Sequence, residues 1–466
     1  MKSPNLNSSS DDIKAYFSTV YKKYESLFGL LADEKSFYLK PNTLRHPLIF
    51  YYGHTATFFI NKLNLAKITN KRINPQLEAM FAVGVDEMSW DDLDESNYQW
   101  STVAQTQEYR DSVYSFVNNL MDTLPPEDII TKGSPWWVIL MCIEHENIHI
   151  ETSAVLIREL PLENLIPSTE WDYCKSWGEA PINSFVDIPK GDVDFCRDKR
   201  YYSWDNEHGE HKAIIPKFKA SKYLVSNREF LEFIRDDGYI KKEFWSREGW
   251  SWREFSKALY PHFWVEEDNQ YMLRTLTNKI PLPMNWAVEV NYLEAEAFCA
   301  WLSSKMKKNI TVPTEDEYFR LLNISENLDN ANLNLSKYAS SMPINSFKNG
   351  ELYGVVGDIW QWSRTPIYPF SGFEIDKIYD DFTIPTFDGK HNLIKGGSWA
   401  SCGNVASAYS RYAFRRHFFQ FAGFRYVCSS YQEDIKSHFY IKEILEEKFI
   451  LENREDETLI IKREIV

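Results

Sequence analysis

Positive charge is in short supply along this chain. Its 466 residues carry 52 Lys and Arg against 67 Asp and Glu, a formal net charge of −15. That balance excludes nucleic acid as a main partner, because a phosphate backbone selects a basic surface. Membrane-spanning runs are also missing. No apolar stretch approaches the ~20 residues that a bilayer requires, and the polar start from Met1 to Asp12 has no apolar signal core. Cysteine is sparse: six residues, at 142, 174, 196, 299, 402 and 428, with no Cys-x-x-Cys pair. This pattern points to reduced thiols in a cytoplasmic protein and away from a disulfide framework. Histidine is scarce too, at 10 residues, so two on one helical stripe are not explained by abundance.

Aromatics are plentiful, at 16% with 16 Trp and 27 Tyr, which suggests a fold that is partly loop-rich and packed by large rings. The length predicts two domains. The stretch from Trp136 to Thr152 reads as a helix, with Ser134 as N-cap, Pro135 at the first position and Pro161 as the stop. His145 and His149 are four apart, so both imidazoles leave one face, one turn apart. Such a pair is a natural mount for a transition metal, with Glu146 and Glu151 as candidates to orient the rings. His-Glu-x-x-His is also the zinc-peptidase signature, in which the Glu is the base. That reading needs a third ligand, and Glu163 is the downstream candidate.

In chain order, 11–31 reads as a helix, and 45–61 as a buried helix with His54 in its middle and His46 at its start. A lone buried histidine is usually a hydrogen-bonded core residue. His54 gains interest because the pair elsewhere lacks a third ligand. Residues 80–100 read as an acidic, aromatic loop, and 102–124 as a further helix carrying Arg110, whose sequence-level reading is a solvated charge. Four helices with modest loops predict a bundle, whose interior is a usual place for a metal site. The texture then changes. Residues 166–190 lack periodicity and read as a linker, and from Gly191 a loop-rich α+β region follows. It holds one clear helix from Asn291 to about Lys305, with an Asn291–Glu294 capping box. Strands are expected at 393–399 and 422–427. The expected division is 1–165, 166–190, 191–428 and a tail, 429–466.

Five blocks of the second half, in order, resemble the formylglycine-generating-enzyme fold, a C-type-lectin-like domain: Asn291 to Cys299, Val312 to Tyr318, Gly357 to Trp362, Lys395 to Trp399, and Ala422 to Arg425. The cysteine pair of the true formylglycine-generating enzymes is not apparent. The first half, with Gly53-His54-Thr55 and His145-Glu146-x-x-His149-x-Glu151, resembles the DinB-like four-helix bundle. Together they resemble the non-heme iron sulfoxide synthases of ergothioneine and ovothiol biosynthesis. Within that group the nearest likeness is to the ovothiol branch, carried by 45–61, 81–91, 365–370, 382–389 and 411–420.

The resemblance implies a three-histidine iron(II) site of His54, His145 and His149, using O2 to join the sulfur of L-cysteine to the imidazole C5 of L-histidine as a sulfoxide. It implies Tyr368 as the catalytic tyrosine, and Arg110, Arg416 and His417 as substrate-binding residues. Val113 stands where ergothioneine enzymes have a second arginine, and Ile148 where some have a glutamine. Both differences suit free cysteine and unmethylated histidine. The alternative is an ergothioneine- or selenoneine-type synthase with another thiol or selenium donor. From other classes, a zinc hydrolase or a catalytically idle lectin-like binding module remain open. Many members continue into a methyltransferase. No glycine-rich nucleotide loop follows Cys428, so a separate methyltransferase, or a longer chain, is implied.

Overall fold

The computed structural model describes residues 2–82, 99–195, 197–380 and 382–433. Most of the acidic loop at 80–100 and the tail beyond 433 therefore lie outside the described residues. The first half is helical: α1 (Ser10–Phe28), α2 (Leu48–Leu65), the short α3 (Pro75–Met80), α4 (Val103–Thr123) and α5 (Pro135–Glu159). Local chemistry sets the starts. Ser9 with Asp12 and Thr102 with Gln105 form reciprocal capping boxes, and the Ser134 hydroxyl accepts from the Trp137 amide. The long helices α1, α2, α4 and α5 make the expected bundle. α5 is buried along nearly its whole length, from Trp136 to Arg158. A helix so apolar on every side must be covered on every side. Here the bundle covers one flank and the second half of the chain covers the other.

That second half runs β1 (Phe185–Ile188), β2 (Gly191–Phe195), β3 (His211–Ile215), β4 (Phe218–Ser221), α6 (Asn227–Arg235), α7 (Arg247–Ser256), β5 (Trp264–Glu267), β6 (Gln270–Arg274), β7 (Lys279–Pro281), α8 (Tyr292–Met306), β8 (Ile310–Thr311) and α9 (Glu315–Asn323). It continues with β9 (Lys348–Asn349), β10 (Leu352–Tyr353), β11 (Trp360–Pro366), β12 (His391–Lys395), β13 (Tyr412–Arg415), β14 (Ala422–Gly423) and β15 (Val427–Cys428). The strands are short and fall into small sheets. Two have four strands, ordered β1-β4-β15-β8 and β13-β12-β11-β14. α8 starts on the expected Asn291–Glu294 capping box. The strand expected at 393–399 ends at Lys395, because Gly396 and Gly397 take positive φ of 95° and 81°. The linker reading of 166–190 needs correction. Phe185–Ile188 pairs with β4, and Val186 and Ile188 point into the core on alternate positions.

The halves are joined through α5. Arg158 donates both terminal nitrogens to Glu289, at 2.8 and 2.7 Å. Glu151 accepts from Trp360 Nε1 (2.7 Å), from Ser401 (2.8 Å) and from Ser398. Glu144 accepts from the Asn404 amide at 2.7 Å and from Tyr16 at 2.9 Å. One hydrophobic cluster runs through the bundle and on into the second half. No helix among the described residues is long and apolar enough to cross a membrane.

Candidate metal centre

α5 places His145 and His149 one turn apart, and α2 brings His54 to them from the neighbouring helix. One ligand atom of each lies within 4.8 Å of the other two, and all three residues are buried. The Nε2 atoms of His145 and His149 are 3.1 Å apart, the spacing of two adjacent ligands on one metal ion with bonds of about 2.1 Å. His54 Nδ1 lies 2.7 Å from the Phe81 carbonyl oxygen. A carbonyl only accepts, so Nδ1 carries the proton and Nε2 keeps its lone pair. Gly53 explains itself here: a Cβ at that position would fall 2.3 Å from the Phe81 ring. Burial pushes the His145 imidazole well below its usual pKa, helped by His149, His54 and Lys62. Burial does the same to His149, with His54 and Arg45 adding to it. Three neutral imidazoles converging in a water-poor site fit a transition-metal ion and leave positions open for other ligands.

The walls are aromatic. The Phe58 ring stacks on His145 at 3.5 Å between centroids. Tyr379, from the loop between β11 and β12, packs edge-on to Phe58 (4.9 Å) and His145 (5.9 Å). Lys62 stands over the Tyr379 ring at 4.3 Å, with its ammonium donating to the Ile378 carbonyl at 2.7 Å. Trp204 and Phe382 also pack on Tyr379, at 6.0 and 5.1 Å between ring centroids. Sequence reasoning missed Tyr379, which sits in an aperiodic stretch with no helical or strand pattern. Its one signal is its place just ahead of the 382–389 block.

The structure corrects several sequence expectations. Tyr368 is not brought to the histidines. Its ring packs against His211 and Phe370, and its hydroxyl donates to Glu433 at 2.8 Å in a separate cluster. Arg110 is neither a solvated charge nor turned toward the histidines. It is fully buried and donates to Glu25, to the Tyr52 carbonyl (2.6 Å), to Thr55 (2.9 Å) and to Glu146 (3.3 Å). Four of its five N–H groups are thus committed to the bundle. Glu146 and Glu151 do not orient the imidazoles: the first faces Arg110 and the second faces β11 and Ser401. With Glu146 turned away, the peptidase arrangement is absent, and Glu163 is exposed at the surface. His46 packs at a tilt against Phe50, 4.2 Å between ring centroids, and is not one of the converging three. Arg416 donates to Asn392 (2.9 Å), the Gly389 carbonyl (2.8 Å) and Glu248 (2.8 Å). His417 is half-buried and stacks on Phe418, the ring over which the Arg45 guanidinium lies.

Comparison with known proteins agrees with this architecture. Residues 175–430 match the family described as the sulfatase-modifying factor enzyme 1-like domain, and residues 16–153 match the DinB superfamily. Hercynine oxygenase of Mycolicibacterium smegmatis is 29% identical over 372 residues, covering 73% of this chain and 82% of that protein. Ergothioneine biosynthesis protein 1 of Schizosaccharomyces pombe is 24% identical over 462 residues, 89% of this chain and 55% of that protein. Hercynine oxygenase of Mycobacterium tuberculosis is 29% identical, over 57% of this chain and 64% of its own length. The chain thus spans about half the length of the fission-yeast protein. With this domain over more than half its length and a match to the DinB superfamily ahead of it, the chain belongs to the sulfatase-modifying factor enzyme 1-like family.

Proposed function

We propose that the protein is an iron(II)- and O2-dependent sulfoxide synthase that joins the sulfur of L-cysteine to the imidazole C5 of L-histidine, giving 5-histidylcysteine sulfoxide. The observation that carries this reading is the convergence of three neutral, buried imidazoles beside a phenol. Relatives named hercynine oxygenase and ergothioneine biosynthesis protein support oxygen chemistry on a histidine-derived substrate. The overall step balances without an external reductant. One C–H and one S–H bond are lost, a C–S bond forms, one oxygen atom goes to sulfur and the other leaves as water.

His54, His145 and His149 would hold the metal. When bound, iron(II) supplies the electron transfer to O2 and a seat for the thiolate. The chain's own residues do the rest. Phe81 fixes the His54 tautomer through its carbonyl. Phe58, Trp204 and Phe382 exclude water from the reacting groups, which strengthens every polar interaction inside. Tyr379, whose ring packs edge-on to His145, offers a phenol as proton donor, in place of Tyr368. Arg110, Arg416 and His417, expected to bind substrate, are better read as framework: the two arginines through their hydrogen bonds and His417 through its stack on Phe418.

Iron content and O2 uptake test this reading. Protein loaded anaerobically should hold one iron, and O2 uptake should require both a thiol and a histidine. His149→Ala should lose both iron and uptake. Uptake only with γ-glutamylcysteine and trimethylhistidine would favour the ergothioneine-type alternative. Iron-independent hydrolysis would overturn the assignment.

A further inference from the structure

Phe255, in the last turn of α7, is 86% exposed, the most of any large apolar side chain among the described residues, and Leu259 just beyond the helix is 51% exposed. A single ring in water needs no explanation by itself. Its setting is what matters. Beside it runs a groove of about 260 Å³, lined by Trp252, Leu259, Tyr260, Pro261, His262 and Phe419 among others. A space of about 150 Å³ already holds a benzene ring, so the groove admits a phenyl side chain. Phe255 does not fill the groove of its own chain, since it stays in water.

The groove is a formed socket. Phe419 stacks on His262 at 4.3 Å between centroids and packs edge-on against Trp252 and Phe263, both at 6.3 Å. Tyr260 packs edge-on to Tyr271 at 5.4 Å. Walls held this way spare the ordering cost that association otherwise carries. Charge points the same way. A net charge of −15 opposes the approach of two copies of this chain. This face is locally balanced instead: α7 carries Arg247 and Arg253 against Glu248 and Glu254, and Lys257 follows directly. Glu254 and Lys257 are both exposed and flank Phe255 and Ser256 with opposite sign.

We propose that this face is a two-fold interface between two copies of the chain, with Phe255 of each copy seated in the groove of the other and Glu254 of each facing Lys257 of the other. A two-fold contact uses the same patch twice, so one patch must hold both the projecting group and its socket, and both signs of charge. Residues 252–262, with Phe419 beneath them, meet both conditions. The inference is independent of the reaction proposed above.

Sedimentation equilibrium of the full-length, iron-loaded protein over a concentration series tests it. Wild-type protein should associate reversibly and stop at the dimer. Phe255→Asp removes two buried rings per dimer, so association should weaken by roughly a hundredfold or more. Its urea midpoint should stay at the wild-type value, because the ring is in water within each copy. Glu254→Lys and Lys257→Glu should each weaken the dimer by setting like charges together, and the double variant should recover it, a coupling that a facing pair produces. A monomer at every concentration, a dimer unmoved by Phe255→Asp, growth beyond the dimer, or a double variant no tighter than the singles would each overturn the inference.

Discussion

Tyr379 and Tyr368 give opposite expectations for the same chemical change, the loss of one hydroxyl. In Tyr379→Phe the ring keeps its contacts with Phe58 at 4.9 Å, Phe382 at 5.1 Å and His145 at 5.9 Å. Stability should therefore move by no more than about 1 kcal/mol. If the phenol delivers a proton during oxygen transfer, its loss slows coupling by roughly 10²–10⁴-fold, or about 2.7–5.5 kcal/mol of barrier. The sulfur-only branch, in which both oxygens go to cysteine to give the sulfinic acid, then gains share. Tyr368→Phe removes the donor that Glu433 accepts from at 2.8 Å. That leaves a mostly buried carboxylate oxygen short of a partner, at a cost of about 1–3 kcal/mol in stability. Its product ratio should match the wild type. The assay is quantitative mass spectrometry of coupled sulfoxide and cysteine sulfinate, alongside urea denaturation of each variant. A product shift in Tyr368→Phe with none in Tyr379→Phe would refute the assignment.

Three further outcomes follow from the geometry. Gly53→Ala drives a methyl group into the Phe81 ring and disturbs the carbonyl that fixes His54, so iron affinity should fall by roughly 10–100-fold in an anaerobic titration. Glu315→Gln leaves Arg411 and Lys395 buried without their anion, which should cost about 3–5 kcal/mol in urea denaturation at neutral pH. Glu315 also sets a pH dependence. Burial raises its carboxyl, but Arg411 and Lys395 together hold it down at about 2. Its folded pKa is thus below its unfolded one, so its stabilisation is present above about pH 4.3 and is lost as pH falls toward 2. The gap between wild type and Glu315→Gln should narrow across that window, and a gap independent of pH would contradict the ion-pair account.

The bundle was legible because its signals are local. Ser9, Thr102 and Ser134 cap helices by hydrogen bonds to residues three positions on, and the spacing of His145 and His149 decides that they share a face. The third histidine was legible only through resemblance, since nothing local ties His54 on α2 to α5. Arg110 shows the limit plainly. A charged residue on a helix reads as solvated until Glu25 and Glu146 are seen on the neighbouring helices. The same holds for β1, whose four residues become a strand only by pairing with β4. Tyr379 reaches the metal centre through the docking of two domains, which no periodicity encodes. The family resemblance pointed to Tyr368, a residue of the neighbouring cluster.

The central claim is the reaction itself. The most direct measurement is the mass of the product formed when O2 is admitted to anaerobic, iron(II)-loaded protein holding L-cysteine and L-histidine. The account predicts a one-to-one adduct carrying a single additional oxygen, with that oxygen derived from labelled O2. Bound iron and consumed O2 with no such adduct would contradict it.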